Sequence, residues 1–287
     1  MLSIDPSIYR PEVGKKQSKL LPSLMTKIKC GNALFSPITN TPEALFGMRT
    51  KEVAQLVKIR MKLRNTLLEM SPVRSRNKTS EEIEALRSSF DSTCAEETKL
   101  ITSLVNTIRE SAEDKVSNSA ENDLYAGLQG QPLCWELEFP EVFFEDSGIA
   151  KQDGGFDAVI GNPPHGAQLT WKERQIIEER YNLGRDYKNT AFLFLERGYD
   201  LLGSGATLGF VIPKSLTFSQ RWEKVRHFIT DRFALREIAD ISKAFKGVLL
   251  EQVILVAEKG GTGEQFTGIH LQEVEGAVAN VIRVSLC

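Results

Sequence analysis

Apolar residues along this chain fall into two kinds of pattern. In the first part they recur at helical spacing. Thr41 followed by Pro42 supplies an N-cap and a first helical position. Leu56, Ile59, Leu63 and Leu67 then share one side of a helix that runs to about Met70. Polar SPVRSRNKTS (Ser71–Ser80) breaks it. Thr79 and Glu82 have capping-box spacing and open a second helix carrying Ile83, Leu86, Phe90, Leu100, Ile101, Leu104 and Ile108, which fades near Ser111. The two predict an antiparallel helical hairpin. Beyond a polar connector, short apolar runs alternate with helical patterns. Phe156–Ile160 reads as a short buried strand launched by Gly154-Gly155, with a helix from about Asn189 and a strand over Leu208–Ile212 that ends at Pro213. Arg221–Phe233 is helical, and Leu235–Ser242 and Glu251–Lys259 are strands joined by a short loop, hence antiparallel. Upstream, Thr26–Cys30 is a short strand candidate that Gly31-Asn32 ends. Strands alternating with helices imply an α/β fold with a largely parallel sheet.

The chemistry concentrates where the first of these strands stops. Asn162-Pro163-Pro164-His165 follows Gly161 directly. Each proline fixes its φ and lacks an N–H, so the neighbouring carbonyls are held in place and free to accept. With the Asn162 amide oxygen they form a rigid acceptor pair suited to an exocyclic –NH2 group, and the ring of His165 could cover the face of the planar group carrying it. An aromatic amine is a poor nucleophile because its lone pair is spread into the ring. Two acceptors on its hydrogens localise that lone pair and stabilise the charge that develops on attack. On residue types alone, Asn-Pro-Pro also serves as a plain turn after a strand.

Composition narrows the picture. The chain has 287 residues, 41% hydrophobic and 26% charged, which suits a soluble globular protein of one large or two small domains. No apolar run is long enough to span a bilayer and no signal-peptide pattern opens the chain, so a cytoplasmic setting is expected. Cys30, Cys94, Cys134 and Cys287 form no C-x-x-C pair and read as reduced, mostly buried thiols. His227 and His270 lie in helical and strand-like patterns, so packing accounts for them better than metal binding. Net charge is −2, so contact with nucleic acid must come from local patches. Lys58, Arg60, Lys62, Arg64, Arg74, Arg76 and Lys78 on the hairpin form one candidate patch, and a solvated helix face is the stronger reading of it.

The run FDAVIGNPPHG closely resembles motif IV of the amino-group methyltransferases, an Asn-Pro-Pro followed by an aromatic residue. The order of the remaining segments resembles the same family from Leu20 to Lys259. GNAL (Gly31–Leu34) looks like motif III, DYKNTAFLFLERGYDLL like motif V, GFVIPKSL like motif VI, WEKVRHFI like motif VII and FKGVLLEQVILV like motif VIII. The resemblance implies a Rossmann-like, S-adenosylmethionine-dependent DNA adenine-N6 methyltransferase. Asn162, Pro163, Pro164 and His165 would be catalytic, and Gly31, Asn32, Asn189 and Phe192 would be near the methyl donor, with Phe194 beside them. His165 and Phe245 would hold a flipped base of double-stranded DNA, and Pro213 and Ser215 would stand at the mouth of a strand end. The long insertion after motif III is similar to that of type IIG restriction–modification and phage-exclusion methylases.

Two features depart from the family pattern. No Gly-rich turn for the donor's methionine part precedes Gly31, and GGTG at Gly260–Gly263 follows the last strand as a loop. The sheet is therefore expected to lack its first strands, with apolar edges exposed and the isolated chain poorly soluble or partly molten. The missing portions of the parent enzyme, a donor-binding start and a target-recognition domain, are expected partners. The implied division is 1–40 for a partial core around motif III, 41–127 for the hairpin insertion, 128–260 for the catalytic core and 261–287 for the start of a following region. The second departure is His165 in the aromatic position, which offers less stacking area than tyrosine. Two other readings stay open. One is methyl transfer to a protein glutamine amide or an RNA amine, and the other is an inactive remnant acting as a binding module.

Overall fold

One mixed sheet organises the chain in the computed structural model, which describes residues 28–35, 49–71, 74–113, 133–184, 189–242, 250–261, 265–272 and 278–285. Its strands are β1 (Phe156–Gly161), β2 (Leu202–Pro213), β3 (Phe233–Ser242), β4 (Gln252–Lys259), β5 (Gln265–Gln272) and β6 (Val278–Ser285), in the order β1-β2-β4-β3-β5-β6. β1 runs parallel to β2, and β4 is antiparallel to both β2 and β3. The expected antiparallel pairing of the closing strands is therefore present. β5, which contains the strand-like pattern around His270, pairs parallel with β3, and β6, which was not predicted, pairs antiparallel with β5, so both extend the same sheet.

The helices are α1 (Thr50–Glu69), α2 (Ser80–Glu113), the single turns α3 (Trp135–Glu138) and α4 (Pro140–Phe143), then α5 (Trp171–Arg180), α6 (Thr190–Leu201) and α7 (Glu223–Arg232). The capping box foreseen at the start of α2 is formed, with Thr79 N–H donating to Glu82 at 2.6 Å and Glu82 N–H to Thr79 Oγ1 at 3.2 Å. The proposed start of the first helix at Thr41-Pro42 lies outside the described residues, as do Thr26 and Phe245.

Alternation along β2 buries Ala206, Leu208, Phe210 and Ile212 against Phe192 and Leu195 of α6 and Val225 and Ile229 of α7, with Val253 and Leu255 of β4 in the same cluster. The hairpin has its own seam of Ile59, Leu63, Leu67 and Phe90. It docks on the sheet domain through Val53, Leu56 and Val57, which pack with Leu137, Phe143, Phe144 and Leu201.

Three expectations need correction. The sheet is not largely parallel, since three of its five strand pairings among the described residues are antiparallel. β1 is not a buried strand. It stands at the sheet edge, only Phe156 and Val159 are partly covered, and Ile160 is 81% exposed. A continuous apolar run signals burial only when neighbours cover both sides, and among the described residues β1 has a strand neighbour on one side alone. Arg60, counted with the solvated basic face, is buried at 4% exposure. It forms a 2.9 Å ion pair with Glu97 of α2 and donates to the Glu138 carbonyl, so it fastens the hairpin to α3. Burial pushes the Glu97 carboxyl up, against the pull of Arg60. Of the described cysteines, Cys134 is buried, Cys94 half-buried and Cys30 exposed.

The hairpin also docks through a close backbone approach. Gly148 has φ +81°, and a Cβ there would lie 2.0 Å from the Thr50 carbonyl oxygen and 2.7 Å from Ala54 N. Gly148→Ala is expected to destabilise by at least about 2 kcal/mol, from overpacking plus left-handed strain. Urea unfolding should show a lower midpoint at an unchanged slope. A midpoint within error of the parent would refute the close approach.

Candidate active site

The site begins where β1 and β2 leave the sheet side by side. In their parallel register Gly161 stands opposite Phe210, so Asn162-Pro163-Pro164 emerges beside the last residues of β2. Pro163 is buried, whereas Asn162 and Pro164 are exposed. Thr190, the first residue of α6, donates from Oγ1 to the Pro164 carbonyl at 2.5 Å and accepts from Ala167 N–H at 3.3 Å. That one hydroxyl fixes both ends of the turn. Among the described residues no hydrogen bond engages the Asn162 carboxamide or the Pro163 carbonyl, so these two acceptors remain available.

A cavity of about 420 Å³ opens against this turn. β1 contributes Phe156, Ala158 and Ile160, and α6 contributes Phe194, Arg197 and Gly198. Trp135 and Ala33 close another side, and the Trp135 ring N–H donates to the Ala33 carbonyl at 3.4 Å. The wall is mainly apolar and aromatic, with Arg197 as its charged member. Arg197 Nη2 lies 3.9 Å from Glu136 Oε1, while Nε and Nη2 are buried without a hydrogen-bond acceptor among the described residues. A buried guanidinium so placed favours an anionic oxygen.

The segment Gly31–Phe35 is carried to this cavity by Tyr181, which follows α5. The Tyr181 hydroxyl donates to the Leu34 carbonyl at 2.6 Å, and burial raises its pKa to about 12. Asn32 itself faces its own turn, its side-chain oxygen accepting from Leu34 N–H at 3.2 Å. Ala33 rather than Gly31 or Asn32 is the residue of this segment that lines the cavity.

Other expected site residues sit elsewhere. Asn189 caps α6, its side chain accepting from Ala191 N–H at 2.9 Å. With Phe192 it borders a second cavity of about 280 Å³ beside Trp222. Phe192 is core, in edge contact with the Trp222 ring at 4.4 Å. Helical geometry explains the swap, since Phe194, two residues on, points to another side of α6. His165 turns towards β2, its Nε2 3.4 Å from the Val211 carbonyl. Pro213 is buried at the end of β2, and Ser215 Oγ accepts from the Trp222 ring N–H at 3.2 Å. Sequence reasoning missed Arg197 and Trp135, and nothing in their spacing marked them.

Residues 43–246 match the sequence profile of the Eco57I restriction-modification methylase. The chain belongs to that family. Among curated relatives of this Eco57I-family chain, the type II methyltransferase M.BstVI of Geobacillus stearothermophilus is 32% identical over 118 residues, 40% of this chain and 19% of that protein. The type II restriction enzyme and methyltransferase RM.Eco57I of Escherichia coli is 31% identical over 88 residues, 29% of this chain and 9% of that protein. The chain thus spans a fifth or less of the length of these two relatives. Among solved structures, the type IIG restriction endonuclease BpuSI aligns with a TM-score of 0.36 at 17% identity, covering 51% of this chain and 20% of that one. The EcoKI M protein aligns with a TM-score of 0.34 at 16% identity, covering 42% and 27%.

The Tyr181 contact gives a test of how the Ala33 wall is held. Tyr181→Phe leaves the buried Leu34 carbonyl without this donor and is expected to cost about 1–3 kcal/mol. In the parent, Tyr181 keeps its proton tighter folded than unfolded. The associated stability is full below pH 10, the ordinary tyrosine value, and is lost as pH rises through about 12. Denaturant midpoints across that window should fall for the parent and stay flatter for Tyr181→Phe.

Proposed function

We propose that this chain is the catalytic region of a DNA adenine-N6 methyltransferase of a restriction–modification or phage-defence enzyme, acting on an adenine flipped from double-stranded DNA. The observation that carries this reading is the pair of free acceptors at Asn162 and Pro163, on a turn clamped by Thr190 and opening on an aromatic-walled cavity. Asn162 Oδ1 and the Pro163 carbonyl accept from the two N6 hydrogens, hold the amine in place and localise its lone pair as it attacks. Clamping matters because catalysis by positioning is lost when acceptors drift by about 1 Å.

The residues present fit S-adenosylmethionine in part. Trp135 and Phe194 offer ring surface for its adenine, and the Arg197 guanidinium, lacking an acceptor, suits its carboxylate. When bound, the donor supplies an electrophilic methyl on sulfonium. The chain's own part is to hold the amine, exclude water with the apolar wall and keep Arg197 desolvated. The open side of β1 supports completion of the donor site by strands outside the described residues, from elsewhere in the parent protein or from a partner subunit. Family membership favours DNA over a glutamine amide or an RNA amine as the acceptor.

The first test is calorimetric titration with S-adenosylmethionine, followed by transfer of labelled methyl to adenine-containing DNA. In the enzyme that carries this chain, Asn162→Ala is expected to lower transfer by roughly 10²–10³-fold, the scale of losing one oriented hydrogen-bonding group. Donor affinity should stay within about twofold, because Asn162 touches the amine and not the donor. Undiminished transfer by Asn162→Ala would overturn the assignment.

A further inference from the structure

Large apolar side chains exposed to solvent cluster at one end of the sheet. Eight such side chains are exposed among the described residues, and three of them stand close to where β1 and β2 end or β4 begins: Ile160, Phe218 and Leu250. Because β1 and β2 are parallel and β4 is antiparallel to β2, these positions share the end that carries Asn162-Pro163-Pro164. Phe218 is the one presented most rigidly.

Phe218 follows a 3₁₀ turn, Lys214–Thr217, directly after β2. Every backbone neighbour of the ring is tied down. Arg226 of α7 donates to the carbonyls of Leu216 at 2.9 Å and Ser219 at 2.7 Å. Ser219 N–H donates to the Ser215 carbonyl at 2.9 Å, and Leu216 is buried beneath. Lys214 anchors the base of the turn through Asp240 at 2.9 Å and Glu251 at 3.2 Å. The ring itself remains 70% exposed. Surface loops ordinarily hide a phenylalanine or move it, whereas here the scaffold spends several hydrogen bonds on holding it out in water. Residues 214–226 hold four cations and one acid, Glu223; Lys214 is paired with Asp240 and Glu251, and Arg221 and Lys224 are exposed. The Arg221 guanidinium lies 5.7 Å from the centre of the Trp222 ring. An exposed apolar ring with cations in its segment, at the sheet end that carries the amine-holding turn, matches the two faces of nucleic acid, bases that stack and phosphates that are negative.

We propose that Phe218 is a base-contacting residue, its ring stacking on a nucleobase of the DNA strand that enters the Asn162-Pro163-Pro164 site. The assignment rests on the DNA-methyltransferase reading above. It also answers a shortage at His165, whose ring is directed to the Val211 carbonyl and is the smaller stacking surface.

The test measures binding of fluorescein-labelled DNA, single-stranded and as a duplex with one mismatched adenine, to the intact chain and to Phe218→Ala, Phe218→Tyr and Ile149→Ala. Ile149 is 59% exposed ahead of β1, at the other end of the sheet, and serves as a surface control. Phe218→Ala is expected to weaken binding roughly 5- to 150-fold, the range for loss of one base–aromatic stack. Phe218→Tyr and Ile149→Ala should stay within about threefold, and thermal melting should be unchanged throughout. The dependence of affinity on salt should keep its slope in Phe218→Ala, because stacking releases no counterions. Affinity of Phe218→Ala equal to the parent's, with the parent binding DNA, overturns the role of Phe218 and leaves the methyltransferase reading intact. A parent chain that binds neither DNA overturns both.

Discussion

The parallel pairing of β1 with β2 is the constraint on which the rest of this structure depends. Parallel neighbours leave a sheet at the same end, so the turn after β1 and the turn after β2 are forced together without any contact having to specify it. The register, Gly161 opposite Phe210, then sets how far each turn reaches. β4 returns antiparallel and delivers Glu251 to the same end, where it meets Lys214. Asn162, Phe218 and the start of β4 lie at one end of the sheet because of strand direction. Brought there, the Asn-Pro-Pro carbonyls still need fixing, and Thr190 does so from the end of a helix whose other residues line the cavity. One short helix thus both aims the acceptors and walls the space they face.

The hairpin is joined to this frame by two unlike contacts. Its apolar seam onto α3 and α4 is nonspecific in direction, as hydrophobic contacts are. Arg60 and the Gly148 approach supply the specificity. A buried guanidinium tolerates few orientations, since both its carboxylate partner and the Glu138 carbonyl must be met at once. Lys29 pairs with the Glu138 side chain at 2.6 Å, so the segment carrying Ala33 is drawn into the same network. Hairpin docking and one wall of the cavity are therefore mechanically connected through Glu138, although the hairpin itself does not line the cavity.

Much of this was legible in the sequence because the signals were local. The capping box at Thr79 and Glu82, the strand ending at Pro213 and the antiparallel final strands each follow from short-range rules of spacing and turn chemistry. The Asn162-Pro163 acceptors were legible for the same reason, since proline fixes its own backbone. What the sequence hid was burial. The Phe156–Ile160 run reads as interior, yet nothing in it records that one flank has no strand neighbour among the described residues. Arg60 reads as surface because basic residues usually are, and only the fold brings Glu97 to it from across the hairpin. Asn189, Phe192 and Phe194 were expected near one another at the methyl donor, but the turn of α6 separates them: Phe194 lines the cavity against the Asn-Pro-Pro turn with Arg197, and Asn189 and Phe192 border the smaller cavity beside Trp222. Arg197 lies in the motif V-like segment but was not singled out there, Trp135 lies in none of the quoted motifs, and both reach the cavity through the placement of α6 and α3 beside β1.

The contrast between His165 and Phe218 follows the same logic. A side chain in the turn after Asn-Pro-Pro lies close to β2, and an imidazole there can satisfy a ring nitrogen on the Val211 carbonyl, which a phenyl ring cannot. That contact holds the edge of the ring to the strand. The Phe218 ring has no polar atom to satisfy and is 70% exposed, and the turn that carries it is held by Arg226 rather than by the ring. A polar ring anchors the site to the sheet and an apolar ring is left for what comes from outside. The division of labour depends on the same parallel register that brought the two turns together.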